Sequence, residues 1–170
     1  MLSYGDITLR VINFAFLTVV LGLSGSLAAT TVYRHNPQVN FCVFVGAWGL
    51  LSSTFYGVAA FFISFLASPI FLAILDFINF VFTFAGATAL AVAIRCHSCS
   101  NREYVERNKV TQGVKDRCRK SQATVAFLYF SVFVFLFSLV MQVLNVAKNG
   151  FFSTSVSKTP RTGVPTMAQV

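Results

Sequence analysis

Residues Leu75 to Phe84 read LDFINFVFTF. One aspartate and one asparagine stand in a run otherwise built from Phe, Ile, Leu, Val and a single Thr. Placed on a helical wheel, Asp76, Asn79, Thr83, Gly86 and Ala87 fall within about a third of the circumference, the arc expected of one helix face. Phe77, Phe80, Phe82 and Phe84 lie outside that arc. A helix with a narrow seam of small and polar groups and an aromatic remainder suits hydrocarbon. Its seam meets neighbouring helices, where close approach and interhelical hydrogen bonds become available, and its rings meet acyl chains.

The rest of the chain reads the same way. Of 170 residues, 56% are hydrophobic, 11% are charged and 20 are Phe; the mean hydropathy is +0.72. Soluble domains carry about 25% charged residues, so the polar surface here is too small to cover a water-soluble globule. Charges are absent from Val11 to Tyr33, His35 to Leu75, Phe77 to Ile94 and Ser121 to Ala147. A spanning helix needs about 20 apolar residues. The second gap is long enough for two passes, with Ser68-Pro69 as the break. Four spans are predicted, at about 11–33, 39–66, 70–94 and 122–146. Each must be helical, because a segment alone in lipid has to satisfy its own backbone hydrogen bonds. The first is read as an uncleaved span, since only Arg10 precedes it and a signal h-region is shorter. The predicted class is an all-α integral membrane protein, a four-transmembrane-helix antiparallel bundle.

Around this membrane domain, 11–146, the sequence predicts an N-terminal tail at 1–10, a large loop at 95–121 and a flexible C-terminal tail at 147–170 rich in Ser, Thr, Gly and Pro. The first two connections, at Asn36-Pro37 and Ser68-Pro69, are short enough to force antiparallel neighbours. The stretch Arg95 to Lys120 holds eight of the thirteen basic residues. By the positive-inside rule the large loop is then cytoplasmic and the termini lie outside.

Span four carries a stripe of Thr124, Ser131, Ser138, Gln142 and Asn145, and span one a small-residue stripe of Thr18, Gly22, Gly25 and Ala29. The stripe in span one is read first as internal packing and second as a contact between copies. A charge deep in a bilayer needs a partner or a proton. Asp76 therefore reads first as a hydrogen-bonded seam residue that locks the bundle, with Asn13, Gln142 and Asn145 as candidate partners. The other readings are a proton-linked transporter or channel, or contact with a lipid headgroup or partner protein.

Cys96, Cys99 and Cys118 sit in or beside the large loop. Cys96-His97-Ser98-Cys99 is a C-x-x-C, open to several readings. A zinc site of these cysteines and His97 matches no standard spacing. A redox pair Cys96–Cys99 would make a membrane thiol oxidoreductase. A disulfide, most simply Cys99–Cys118, follows if the loop faces an oxidising compartment. Free thiols open to palmitoylation follow if it faces the cytosol. There is no catalytic constellation, metal site or phosphate-binding loop, so no enzyme activity and no cofactor is expected. The net charge of +8 points to anionic headgroups rather than nucleic acid.

LDFINFVFTF, ATALAVAIRCHSC, NKVTQG, RCRKSQATVAFLYFS and the closing GVPTMAQV, with the early RVINFAFL and Tyr56-Gly57, resemble the fungal non-classical export protein family, a branch of the MARVEL-domain tetraspan proteins. The resemblance implies a multi-pass plasma-membrane protein with both termini cytoplasmic, against the charge count. It implies residence in eisosome compartments, a response to sphingolipid and a link to export of proteins without signal peptides. The expectation is a scaffold that self-associates as a homo-oligomer, meets eisosome components, and packs its aromatic faces against membrane lipids, with sphingolipid or sterol as possible bound lipid.

Overall fold

In the computed structural model the described residues are 4–32, 36–57, 59, 69–95 and 97–149. Helix α1 runs Tyr4–Ala29 and α2 runs Pro37–Leu50, continuing as a π-turn, Leu51–Phe55. Helix α3 runs Pro69–Ile94, a short α4 runs Arg102–Arg107, and α5 runs Lys115–Asn149. Four segments are long and apolar enough to cross a membrane: Gly5–Ala29, Pro37–Phe55, Ile70–Ile94 and Lys115–Lys148.

The four long helices form a closed ring in which α1 packs on α2, α2 on α3, α3 on α5 and α5 back on α1. Every neighbouring pair is antiparallel. Gln142 near the end of α5 reaches Asp6 at the start of α1, Arg10 of α1 reaches Ser53 at the end of α2, and Ser138 of α5 reaches Asp76 of α3. Consecutive helices joined by short connections have no other easy arrangement.

The helix ends follow local chemistry. Pro37 opens α2, its missing N–H falling where a helix has no acceptor to offer, and Asn36 before it is extended, at φ −105° and ψ 110°. In α4 the Asn101 side chain accepts from Tyr104 N at 3.3 Å, a cap for otherwise orphaned donors. Arg95 ends α3 in the left-handed region at φ 50°. The last carbonyls of α3 are then taken by the loop, since Asn108 Nδ2 donates to Ala93 O at 2.9 Å and the Tyr104 hydroxyl donates to Ile94 O. The turn before α5 uses Gly113 at φ 81°, where a side chain would be strained.

Between the helices lies an apolar core of Val20, Leu27, Val39, Cys42, Val45, Ala87, Leu90, Ile94, Val110 and Leu128. The ring's outside carries Phe14, Phe44, Phe55, Phe77, Phe84, Phe130, Phe133 and Phe137, all exposed. Phe80 and Phe82 are half-buried rather than fully outward. Phe82 fills the α2–α3 groove edge-on to Phe44 and Trp48, with centroids 5.7 and 6.3 Å away.

The sequence-drawn boundaries need correcting. The predicted tail 1–10 is helical from Tyr4, because Asp6 and Arg10 find partners inside the bundle and so need not stay outside it. The helix that carries span four extends past the predicted 122–146 at both ends, from Lys115 to Asn149. At 1.5 Å per residue, its 35 residues are about 50 Å long against a hydrocarbon layer of about 30 Å, which leaves charged turns to stand clear of the lipid. The loop 95–121 therefore holds α4 and the first turns of α5. Of span 39–66, residues 58 and 60–66 lie outside the described residues, as do 150–170 of the predicted tail.

Close approach inside the ring comes from α2. A Cβ added at Gly46 would stand 3.3 Å from the Leu21 backbone, and one at Gly49 would stand 2.9 Å from a Leu17 methyl. Gly46→Val is expected to destabilise the bundle by about 1–3 kcal/mol, as overpacking does in tight cores. Reversible unfolding in detergent measures it, and an unchanged midpoint would mean that α1 and α2 are not in contact there.

Candidate functional site

Asp76 is 1% exposed and sits where α1, α3 and α5 meet. Ser138 Oγ donates to Asp76 Oδ2 at 2.6 Å. Arg10 Nη2 lies 3.7 Å from the same oxygen, while Arg10 Nη1 donates to Ser53 O at 3.2 Å in the π-turn of α2. One carboxylate and one guanidinium thus tie all four long helices together. The space among Leu9, Arg10, Asn13, Ser53, Asp76, Phe135 and Ser138 is too tight to hold a water. In so dry a setting a charge pair gains strength, but each ion has also lost its hydration, so removing either partner strands the other.

The surrounding polar groups extend this clasp. Gln142 Nε2 donates to Asp6 Oδ1 at 3.0 Å. Ser52 Oγ sits 2.8 Å from Trp48 O and 2.9 Å from Asn79 Oδ1 and shares its one proton between them. Thr83 Oγ1 returns its proton to Asn79 O on its own helix at 2.7 Å. Asp76, Asn79, Thr83, Thr124, Ser131, Ser138 and Gln142 are all buried, and Asn145 is half-buried.

Two readings of the sequence change here. Asn13, Gln142 and Asn145 were the candidate partners of Asp76; Arg10 and Ser138 hold it instead, and Gln142 turns to Asp6. The sequence places Arg10 in the tail at 1–10, before a span drawn from 11, and only the helix starts seen in the structure bring it level with Asp76. Helices α1 and α3 start on the same side of the ring. Arg10 lies six residues past Tyr4 and Asp76 seven past Pro69, depths of about 9 and 10 Å at 1.5 Å per residue. Matched depth is what a charge pair requires.

The second change concerns Thr18, Gly22, Gly25 and Ala29. The stripe does not pack inside the bundle. Thr18, Gly22 and Ala29 are exposed and Gly25 half-exposed, and a Cβ at Gly22 or Gly25 would meet nothing within 4 Å. The larger apolar residues Leu17, Val20 and Leu27, each fully buried, take the inner face, where they fill the space against the neighbouring helices, Leu17 lying against Gly49 of α2, since packing rather than escape from water orients helices in lipid.

At the opposite end the loop is stapled down. Cys99 and Cys118 are joined by a disulfide, with Cα atoms 5.7 Å apart. This takes Cys99 out of a Cys96–Cys99 pair; Cys96 itself lies outside the described residues. Among the described residues no three His, Cys, Asp or Glu side chains gather as a metal site. Arg117, which the sequence counts only as a loop charge, is 3% exposed. Its Nη1 donates to Leu27 O at 2.9 Å and Thr30 Oγ1 at 2.7 Å, and its Nε donates to Val110 O at 3.1 Å. A cation against the last carbonyls of α1 also complements the helix dipole. Lys120 Nζ adds a bond to Ser26 Oγ at 3.1 Å.

Residues 3–141 match the MARVEL family, described as a membrane-associating domain. The chain is 56% identical over its full length, and over the full length of the relative, to non-classical export protein 102 of Candida albicans. It is 52% identical, again with both chains fully covered, to non-classical export protein 2 of Saccharomyces cerevisiae. A homolog of the latter from Schizosaccharomyces pombe is 36% identical, over 86% of this chain and 81% of the relative. No solved structure matches the chain significantly.

The clasp predicts strong coupling. Asp76→Leu and Arg10→Met are each expected to destabilise by about 3 kcal/mol or more, by leaving a buried charge unpaired. The double substitution should restore most of the loss. A double-mutant cycle on thermal unfolding in detergent reads the coupling; additive effects would mean that the two side chains do not meet.

Proposed function

The chain belongs to the MARVEL membrane-associating family, in its non-classical export protein branch, and from that membership we propose that it is a non-enzymatic scaffold of the plasma membrane. It organises eisosome-type compartments, adjusts its assembly to sphingolipid, and supports non-classical protein export through that organisation. The observation that carries the reading is where the chemistry lies. The Arg10–Asp76–Ser138 clasp is spent on holding helices together, and the outer surface offers rings and a smooth stripe to lipids and neighbours.

A transporter or channel built on Asp76 fits poorly. Its carboxylate is already engaged, and there is no room for water beside it. A Cys96–Cys99 oxidoreductase is disfavoured by the Cys99–Cys118 bond. That bond also favours an outward loop and cytoplasmic termini, since disulfides persist in oxidising compartments.

The stripe of Thr18, Gly22, Gly25 and Ala29 is the contact through which copies assemble as a homo-oligomer, small residues letting helix backbones approach in lipid. A lipid that favours the assembled over the dispersed state then shifts the balance between them. Sphingolipid or sterol against the aromatic faces is the ligand this scheme calls for, and eisosome components are the partners.

Imaging a fluorescently tagged full chain tests the function. Clusters at the cell surface should redistribute when sphingolipid synthesis is blocked; an unchanged pattern contradicts the lipid-responsive scaffold. Gly22→Leu with Gly25→Leu should leave thermal stability the same or higher, because Gly is disfavoured in helices by about 1 kcal/mol relative to better formers. The same pair should cut crosslinked dimer in bilayers at least about fivefold, the effect of losing about 1 kcal/mol of contact. Unchanged dimer would assign assembly to another face. For topology, an impermeant maleimide on intact cells should label Cys99 only after external reduction; labelling only in opened cells would reverse the orientation.

A further inference from the structure

A crevice of about 600 Å³ opens at the loop end of α3, between the last turn of that helix, the start of α2 and α4. Its volume is that of a ligand pocket. Val92, Ala93 and Val110 form an apolar floor, and Asn36, Gln38, His97, Asn101 and Asn108 line the walls with polar groups. Val92 is 69% exposed on the outer face of the ring, so the floor continues sideways into the surface that meets hydrocarbon. The rim is basic, with Arg95, Arg107 and Lys109. Glu103, also in the rim, is engaged by Arg107 at 3.2 Å. Arg95 and Lys109 enter no ion pair among the described residues.

The backbone that carries these two cations is held in place. Arg95 occupies the left-handed region at φ 50°, where a helix usually ends on Gly. Non-glycine residues kept in that region cluster at ligand clamps. Lys109 follows Asn108, whose Nδ2 is bonded to Ala93 O at 2.9 Å and whose Oδ1 accepts from Val110 N at 2.8 Å. The Cys99–Cys118 bond ties the same loop to α5. A loop backbone fixed before a ligand arrives loses little freedom on binding it.

We infer that this crevice binds the phosphate-bearing headgroup of a membrane lipid. The phosphate rests against Arg95 and Lys109, and the acyl chain runs down over Val92. The pairing of a basic rim with an apolar floor continuous with the lipid face is what selects a lipid over a soluble phosphate, which would use the rim alone. The inference rests on the lipid-responsive reading for its biological meaning, and it gives that reading an anionic ligand class and a place to act.

The test is native mass spectrometry of the full chain released from phosphatidylcholine nanodiscs doped with phosphatidylinositol. The unaltered chain should retain phosphatidylinositol in preference to phosphatidylcholine. Arg95→Gln or Lys109→Gln should weaken retention about fivefold each, and the pair about twenty-fivefold, by the usual contribution of a basic residue at an anionic surface. Arg95→Gly, which gives the turn the residue it prefers, should lose as much binding as Arg95→Gln while unfolding no earlier. Lys115→Gln with Arg119→Gln, exposed loop cations outside the crevice, should leave retention within about twofold, the effect expected of distant surface charge under screening. Equal loss from both pairs, or no loss from the crevice pair, overturns the site. Displacement by inorganic phosphate at concentrations matching the lipid overturns the assignment to a lipid. Clustering in cells, read in parallel, separates the two ideas. Clusters that still respond to lipid after the crevice pair has lost retention refute the crevice as the place where that response begins, and unresponsive clusters with retention intact refute the scaffold alone.

Discussion

Polar groups placed in hydrocarbon must be satisfied by the protein itself, and the bundle is organised by how that demand is met. Backbone groups meet it within each helix. Some hydroxyls meet it on their own helix, as Thr83 does, and the side chains that meet it between helices do so at two levels. Near the terminal end Asp76 gathers Ser138 and Arg10, and Arg10 reaches Ser53, so one charge pair ties the ring. At the loop end Arg117 closes over the last carbonyls of α1 and the Cys99–Cys118 bond anchors the hairpin. Between these polar levels lies an apolar zone of Val20, Val45, Ala87, Leu90 and Leu128. The order is the one cost dictates, because a charge is cheapest near the ends of a span and dearest at its middle.

The architecture was legible because the bilayer simplifies the reading. Charge-free stretches set the number of passes, and the wheel of LDFINFVFTF set which face of α3 turns inward: Asp76, Asn79 and Thr83 are buried while Phe77 and Phe84 are exposed. The failures share one cause. Periodicity says which residues share a face, but not which neighbour that face meets. Thr18, Gly22, Gly25 and Ala29 do share a face, and it is the outer one. Choosing between faces needed the volumes on the other side of α1, where Leu17 and Leu27 fit against Gly49 and the core. The ends of α1 and α5 were misjudged because a charge was treated as a boundary. Asp6, Arg10 and Arg117 each answer a specific acceptor or donor in the folded ring, which a single helix viewed alone does not contain.

A bundle closed in this way has little left to change inside. The clasp is dry, and the α2 glycines are in contact with α1. On the proposed reading this moves function to the surface and to the number of copies that meet there. A lipid acting on such a protein need not alter its fold. It need only favour one population over another, and for a rigid body in two dimensions those populations are dispersed and assembled rather than open and shut. The outer face is suited to that, with rings that take up acyl chains along most of the circumference and a smooth stripe on α1 where another helix could approach.

The two ends of the ring would then play different parts. At the terminal end Asp76 engages Arg10 and Gln142 engages Asp6, so these charges are used inside the ring. At the loop end the ion pairs Arg102–Glu106, Arg107–Glu103 and Lys120–Asp116 absorb some of the basic residues, yet Arg95 and Lys109 stay open beside an apolar floor. Rigid anchoring of that loop is therefore more than insurance against unfolding. A headgroup is discriminated by fixed donors far better than by mobile ones, because mobile cations attract every anion alike. The disulfide, the α4 cap and the left-handed Arg95 fix the backbone from which those donors project, so on the proposed reading the end that carries the most charge is also the end suited to distinguish one lipid from the next.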